Sequence, residues 1–239
     1  MVGMFKASKL FSEADRDAIK LAIVKAEQDT SGEIIPVVAS ASGRYDRAED
    51  IFGLFFSLLC VAIAWGLFYD NTPTDDWSSF NLDLTTILLT IFLSFIAGVL
   101  LTHVFPALCS PFITKKEMEE EVDRAAAAAF QHNRLRNTEN STGILIYISL
   151  QEHQVKVIGD DGISEKLTHP DWQHICDAII KDFKDKHYAN GVIEGITLSG
   201  KLLAEHFPIK EDDKDELANE LVIIKIFTCI LAMVVTRYF

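Results

Sequence analysis

The chain has 239 residues, 49% of them hydrophobic, and sets 22 Lys and Arg against 35 Asp and Glu for a formal net charge of −13. Phosphate binding relies on a clustered basic surface, so this balance argues against nucleic acid as a partner; it suits cations or basic partners, or serves only to keep the water-soluble part dispersed. The length suits one or two domains, but the apolar residues are unevenly distributed: Ile51 to Tyr69 and Thr85 to Phe105 contain no Asp, Glu, Lys or Arg, whereas 1 to 50 and 111 to 220 have the mixed charge of water-soluble protein.

The opening residues lack a long apolar core, so no cleaved export signal is expected. Ser12-Glu13-Ala14-Asp15 has the form of a helix-capping signal, and Ile19, Ile23 and Ala26 recur on one face of a helix predicted to run to about Gln28. Thr30-Ser31-Gly32 breaks it, and Glu33 to Ala39 reads as a short apolar strand. Pro36 has no backbone donor, which predicts an edge strand or a local irregularity.

Ile51 to Tyr69 is long enough, at about 1.5 Å per residue, to cross the roughly 30 Å hydrocarbon layer of a bilayer, and Trp65, Phe68 and Tyr69 suit a headgroup boundary. Thr85 to Phe105 forms the return crossing, stopped by Pro106. His103 lies near its end, where an interfacial neutral histidine is the plainer reading and a proton pathway the functional one. The connecting loop, Asp70 to Leu84, carries four aspartates and no Lys or Arg, while Arg44, Arg47, Lys115 and Lys116 flank the outer ends. The positive-inside rule therefore puts the acidic loop outside and both water-soluble pieces in the cytoplasm of a multi-pass cell (inner) membrane protein.

Beyond the hairpin, Thr114 to Glu117 has capping-box spacing and starts a helix predicted to reach about Leu135. Gly143 to Leu150 is a buried strand, Gln151-Glu152-His153 a turn, and Gln154 to Ile158 the antiparallel partner. Trp172, Ile175, Ile179 and Phe183 make one helical stripe, and Val192, Ile196, Ser199 and Leu203 another; both read as core. Leu221 to Val235 is apolar but short and interrupted by Lys225, which leaves open a membrane anchor, an interfacial helix or an element packed on the domain. The first water-soluble piece offers only one helix and one strand, too little to bury a core alone, so pieces 1–50 and 111–220 are expected to form one domain around the hairpin at 51–106.

The segments AEQDTSGEIIPVV, TGILIYISLQEHQVKVIGDDGI and GKLLAEHFPIKEDDKDEL resemble, in order and spacing, the TPM domain family, in its bacterial membrane-anchored branch. The resemblance implies a TPM-like mixed-sheet α/β sandwich, here interrupted by a two-helix transmembrane hairpin, and in some relatives calcium binding and acid phosphatase activity. Pro36 and the apolar tail after Leu221 depart from the family pattern.

If strand 33–39 runs parallel to 143–150, the loops at Thr30 to Glu33, Asn140 to Thr142 and Asp160-Asp161 collect at one sheet end. Glu33, Asp160 and Asp161 then become candidate metal ligands, with Thr142 as a binding hydroxyl. An oxygen-only set suits calcium or magnesium and not zinc; a solvated acidic turn is the alternative. The run Glu211 to Glu216 reads as a solvated face, and His169 and His174 are too differently placed on a helix to share a metal. The four cysteines lack CxxC spacing, and no GxSxG, phosphate-loop, HExxH or dinucleotide motif is present. No organic cofactor is expected and no catalytic residue is identifiable. Two functions stay open: a membrane-tethered binding or regulatory module with an unidentified protein partner, and a metal-dependent acid phosphatase-like hydrolase.

Overall fold

A computed structural model describes residues 7–43, 45–68, 84–133, 142–164, 166–167, 169–209 and 219–224. The acidic loop of the hairpin, Asn140, the run Glu211 to Glu216 and the tail beyond Ile224 lie outside the described residues, as does the side chain of His169. The chain divides into two compact units, one formed by Met4–Gly43 with Met118–Phe239, the other by Met1–Gly3 with Arg44–Glu117.

The first unit is built on a four-stranded sheet in the order β3-β2-β1-β4, with β1 at Glu33–Ala39, β2 at Gly143–Ser149, β3 at Gln154–Gly159 and β4 at Val222–Ile224. β1 runs parallel to both β2 and β4, and β3 returns antiparallel to β2. Successive strand residues point to opposite faces, and both faces of β1 and β2 are buried, which is why their sequences are apolar throughout instead of alternating. On one face, Ile34, Ile144 and Ile146 pack with Ile19 and Ile23 of α2 (Glu13–Glu27), Ile175 and Ile179 of α7 (His169–Lys184), and Ile196 and Leu203 of α8 (Tyr188–His206). On the other, Ile35, Val37, Leu145 and Tyr147 pack with Val122, Ala126 and Phe130 of α5 (Lys115–His132). Short helices α1 (Ala7–Leu10) and α6 (Asp161–Ser164) complete the unit.

Local chemistry explains where these elements begin. Asp15 N–H donates to Ser12 Oγ at 3.2 Å while Ser12 N–H donates to Asp15 Oδ2 at 2.8 Å, so the capping box of α2 is closed. At α5 only half forms: Glu117 N–H donates to Thr114 Oγ1 at 3.2 Å, but the Glu117 carboxylate turns to Arg47 instead of back to the cap. A guanidinium offers a carboxylate two charge-assisted donors, against one from the cap amide.

The expectation of an edge strand at Pro36 is corrected: β1 lies inside the sheet. Glu33 N–H donates toward β2, to Thr142 O, whereas Ile34 N–H donates away from it, to Glu27 Oε1 at 3.0 Å. By alternation the missing donor of Pro36 faces the β4 side, and β4 pairs only from Val37 onward. The proline therefore sits where no ladder bond is required. The apolar stretch beginning at Leu221, for which the sequence left three readings open, contributes Val222–Ile224 to the sheet as β4.

The second unit contains α3 (Asp46–Phe68) and α4 (Leu84–Val104), both long and apolar enough to cross a membrane. They run antiparallel and approach closely at Gly98, where an added Cβ would lie 3.0 Å from the Cα of Gly53. Only 11% of each helix's apolar window is buried, and Phe55, Leu58, Phe92 and Leu93 are all more than half exposed, unlike the side chains of a water-soluble core helix. His103 Nε2 lies 3.8 Å from Glu49 Oε2, and Phe112 sets its ring edge against Phe52.

Candidate functional site

One end of the sheet gathers polar groups because β1 and β2 both start there and β3 finishes there. Glu33 is in register with Gly143, and Ile144 with Gly159. The next step along β3 brings Asp160, whose N–H donates to Gly143 O at 2.9 Å. Glu33 and Asp160 thus flank Gly143 on neighbouring strands, and the glycine between them carries no side chain. Both acidic residues are buried, at 8% and 3% exposure, which is rare for carboxylates.

Hydroxyls hold the surrounding loops. Thr142 Oγ1 donates to Ser31 O at 2.8 Å, and Glu33 N–H donates to Thr142 O at 3.3 Å. Thr30 Oγ1 donates to Phe207 O at 2.6 Å and accepts from Gly32 N–H at 3.1 Å, which ties this end to the close of α8. Asp160 starts α6: its carbonyl accepts from Ile163 and Ser164 N–H, and its Oδ1 accepts from Asp161 N–H at 2.9 Å. Its Oδ2 is buried and has no hydrogen-bond partner among the described residues. Asp161, by contrast, is exposed.

The four residues expected here divide accordingly. Glu33, Thr142 and Asp160 share the buried sheet end; Asp161 lies at its exposed rim, and the Thr142 hydroxyl is already committed to Ser31. Among the described residues, no group of three His, Cys, Asp or Glu side chains is placed to hold a metal ion. An ion at this end would draw on the carboxylates of Asp160 and Glu33 and otherwise on backbone oxygen and water, a set that hard cations accept.

The opposite sheet end carries a polar network that sequence reasoning missed. Ser42 Oγ donates to Ser149 Oγ at 2.7 Å and lies 3.0 Å from the Tyr147 hydroxyl; Ser149 Oγ donates in turn to the buried Glu152 carboxylate. Glu152 also accepts from Ser42 N–H at 3.1 Å and Gly43 N–H at 3.4 Å. Burial holds the Tyr147 phenol above its ordinary value, with the Ser42 hydrogen bond working in the other direction. Because these donors converge on one carboxylate, the network acts as a clamp joining the end of β1 to the β2–β3 turn. The available signal was a pair of polar residues, Tyr147 and Ser149, on one face of an otherwise aliphatic strand.

Residues 112–202, from just before α5 into α8, match the family model of the TPM domain. A TPM-domain region is therefore present, and β1 and the two apolar helices lie outside it. The fold is similar to the NMR structure of BA42 protein from the psychrophilic bacteria Bizionia argentinensis sp. nov., with a TM-score of 0.54 and 21% identity over 92% of this chain and 99% of that one. No curated protein matches the chain.

Proposed function

We propose that the chain is a multi-pass cell (inner) membrane protein of the bacterial membrane-anchored TPM type, presenting a cytoplasmic TPM-like binding or regulatory domain that takes up a divalent cation at its acidic sheet end. The membrane part of this reading rests on the two apolar helices and their outward-facing Leu and Phe side chains. The cation part rests on one observation above all: the buried Oδ2 of Asp160, which has no hydrogen-bond partner among the described residues. A buried acceptor left without a partner costs about 1–3 kcal/mol, more when charged, and a cation removes that cost. Calcium or magnesium fits donors that are all oxygen, with Asp160 and Glu33 as the inner carboxylates, Asp161 at the rim, and Thr142 positioning the loop.

The test is thermal unfolding of the full chain in lipid nanodiscs with and without calcium or magnesium. An ion that binds only the folded state, present at about 100 times its dissociation constant, stabilises by about 2.7 kcal/mol. Asp160→Asn combined with Asp161→Asn is expected to abolish the gain and, because it removes an unpaired buried charge, not to lower the ion-free midpoint. No shift in the wild type would contradict the cation site. The phosphatase alternative further requires an activated water or nucleophile. Phosphoester turnover lost in the same double variant would put that reading in place of the binding module.

A further inference from the structure

We propose that a crevice beneath the β2–β3 turn, at the sheet end opposite Glu33 and Asp160, is a binding site for a small aromatic carboxylate. The crevice has a volume of about 150 Å³ and lies where the end of β2 and the start of β3 meet the last turn of α7. Ile148, Leu150, Ile180 and Phe183 make it apolar. An apolar cavity of about 150 Å³ accommodates a benzene ring, so the dimensions select one six-membered ring in preference to a long acyl chain. Tyr188 forms an aromatic corner with Phe183, their centroids 5.3 Å apart and planes at 78°, the edge-to-face geometry that aromatic rings favour.

Two basic side chains border this apolar space. His153 and Lys184 both line the crevice and are solvent-exposed, and their side chains make no hydrogen bond or ion pair among the described residues. In a chain of net charge −13, a pair of uncommitted basic groups on one apolar crevice selects an anion. One ammonium and one imidazole match the two oxygens of a carboxylate. Phosphate sites more often present Arg forks or clustered backbone N–H groups, which the crevice does not supply. His153 is held at φ 53° in the four-residue turn, a left-handed conformation uncommon outside glycine. The turn thereby sets the direction in which the His153 side chain leaves the backbone beside the crevice.

The experiment is methyl NMR of the full chain in nanodiscs, titrated with benzoate and, separately, with the uncharged benzyl alcohol. Benzoate is expected to shift the methyls of Ile148, Leu150 and Ile180 saturably, with benzyl alcohol at least ten-fold weaker. Lys184→Gln with His153→Asn should weaken benzoate at least ten-fold. Both positions are on the surface and Asn tolerates the left-handed backbone, so the fold is retained. Ile180→Phe, which fills the crevice, should abolish the shifts. The proposal is overturned if these methyls do not move, if benzyl alcohol or the double variant binds as the wild type binds benzoate, or if Leu54 and Leu88 of the apolar helices move in parallel, which marks partition into lipid.

Discussion

Glu152 gathers two backbone amides and the Ser149 hydroxyl on its buried carboxylate. Glu152→Ala leaves these donors without an acceptor and should destabilise the domain by about 1–3 kcal/mol, measured by urea unfolding. Glu152→Gln keeps one acceptor oxygen and should lose less. At the start of α2, Ser12→Ala should cost about 1 kcal/mol through loss of the cap. The companion residue Asp15 has its carboxyl held below the usual range by the Ser12 hydroxyl and amide. A folded-state value lower than the unfolded one gives stability that is present above the usual carboxylate range and lost as pH falls through the depressed value. The difference in urea midpoint between wild type and Asp15→Asn should therefore be small but measurable near neutrality, because the pair is exposed, and should vanish in acid.

At the scale of elements, α8 packs on α2 through the Ile19, Ile23, Ile196 and Leu203 side chains and comes closest to it at a glycine. A Cβ on Gly200 would lie 2.6 Å from Ala26 Cβ and 3.1 Å from its Cα, so the obstacle includes backbone that cannot rotate aside. Gly200→Val is expected to force the helices apart and cost about 1–3 kcal/mol, despite the better helix propensity of most residues over glycine. A thermal midpoint equal to the wild type would contradict this packing. The helices themselves were legible in the sequence because capping residues and apolar stripes are local signals: Ser12 and Asp15 mark one start, and Ile175 and Ile179 mark one buried face. Strand order was not local. Pro36 reads as an edge signal until the partner's extent is known, and β4 occupies three residues of a stretch whose composition suits a membrane equally well. The candidate site was legible as a meeting of loops, because parallel pairing of β1 with β2 fixes which ends coincide. Burial was not, and it separates Asp160 from the adjacent, chemically identical Asp161.

For the whole molecule, the sheet requires residues from both sides of the apolar helices: β1 comes from before them, and β2, β3 and β4 from after them. Without β1, one edge of β2 and the whole of β4 lose their partners, and backbone groups that are buried in the sheet must find others. Joining residues 4–43 to 118–224 through a short flexible linker is therefore expected to give a folded, water-soluble domain, whereas 118–224 alone should lack its protease resistance. The central claim, that the apolar helices span a membrane and leave this domain inside, is tested most directly by thiol labelling in intact cells with the native cysteines replaced. A cysteine at Ser78, between the helices, should react with an impermeant reagent, and a cysteine at the exposed Lys181 of α7 should react only after the membrane is opened. Labelling of Lys181→Cys in intact cells with Ser78→Cys protected would reverse the orientation, and equal labelling of both would contradict the spanning hairpin itself.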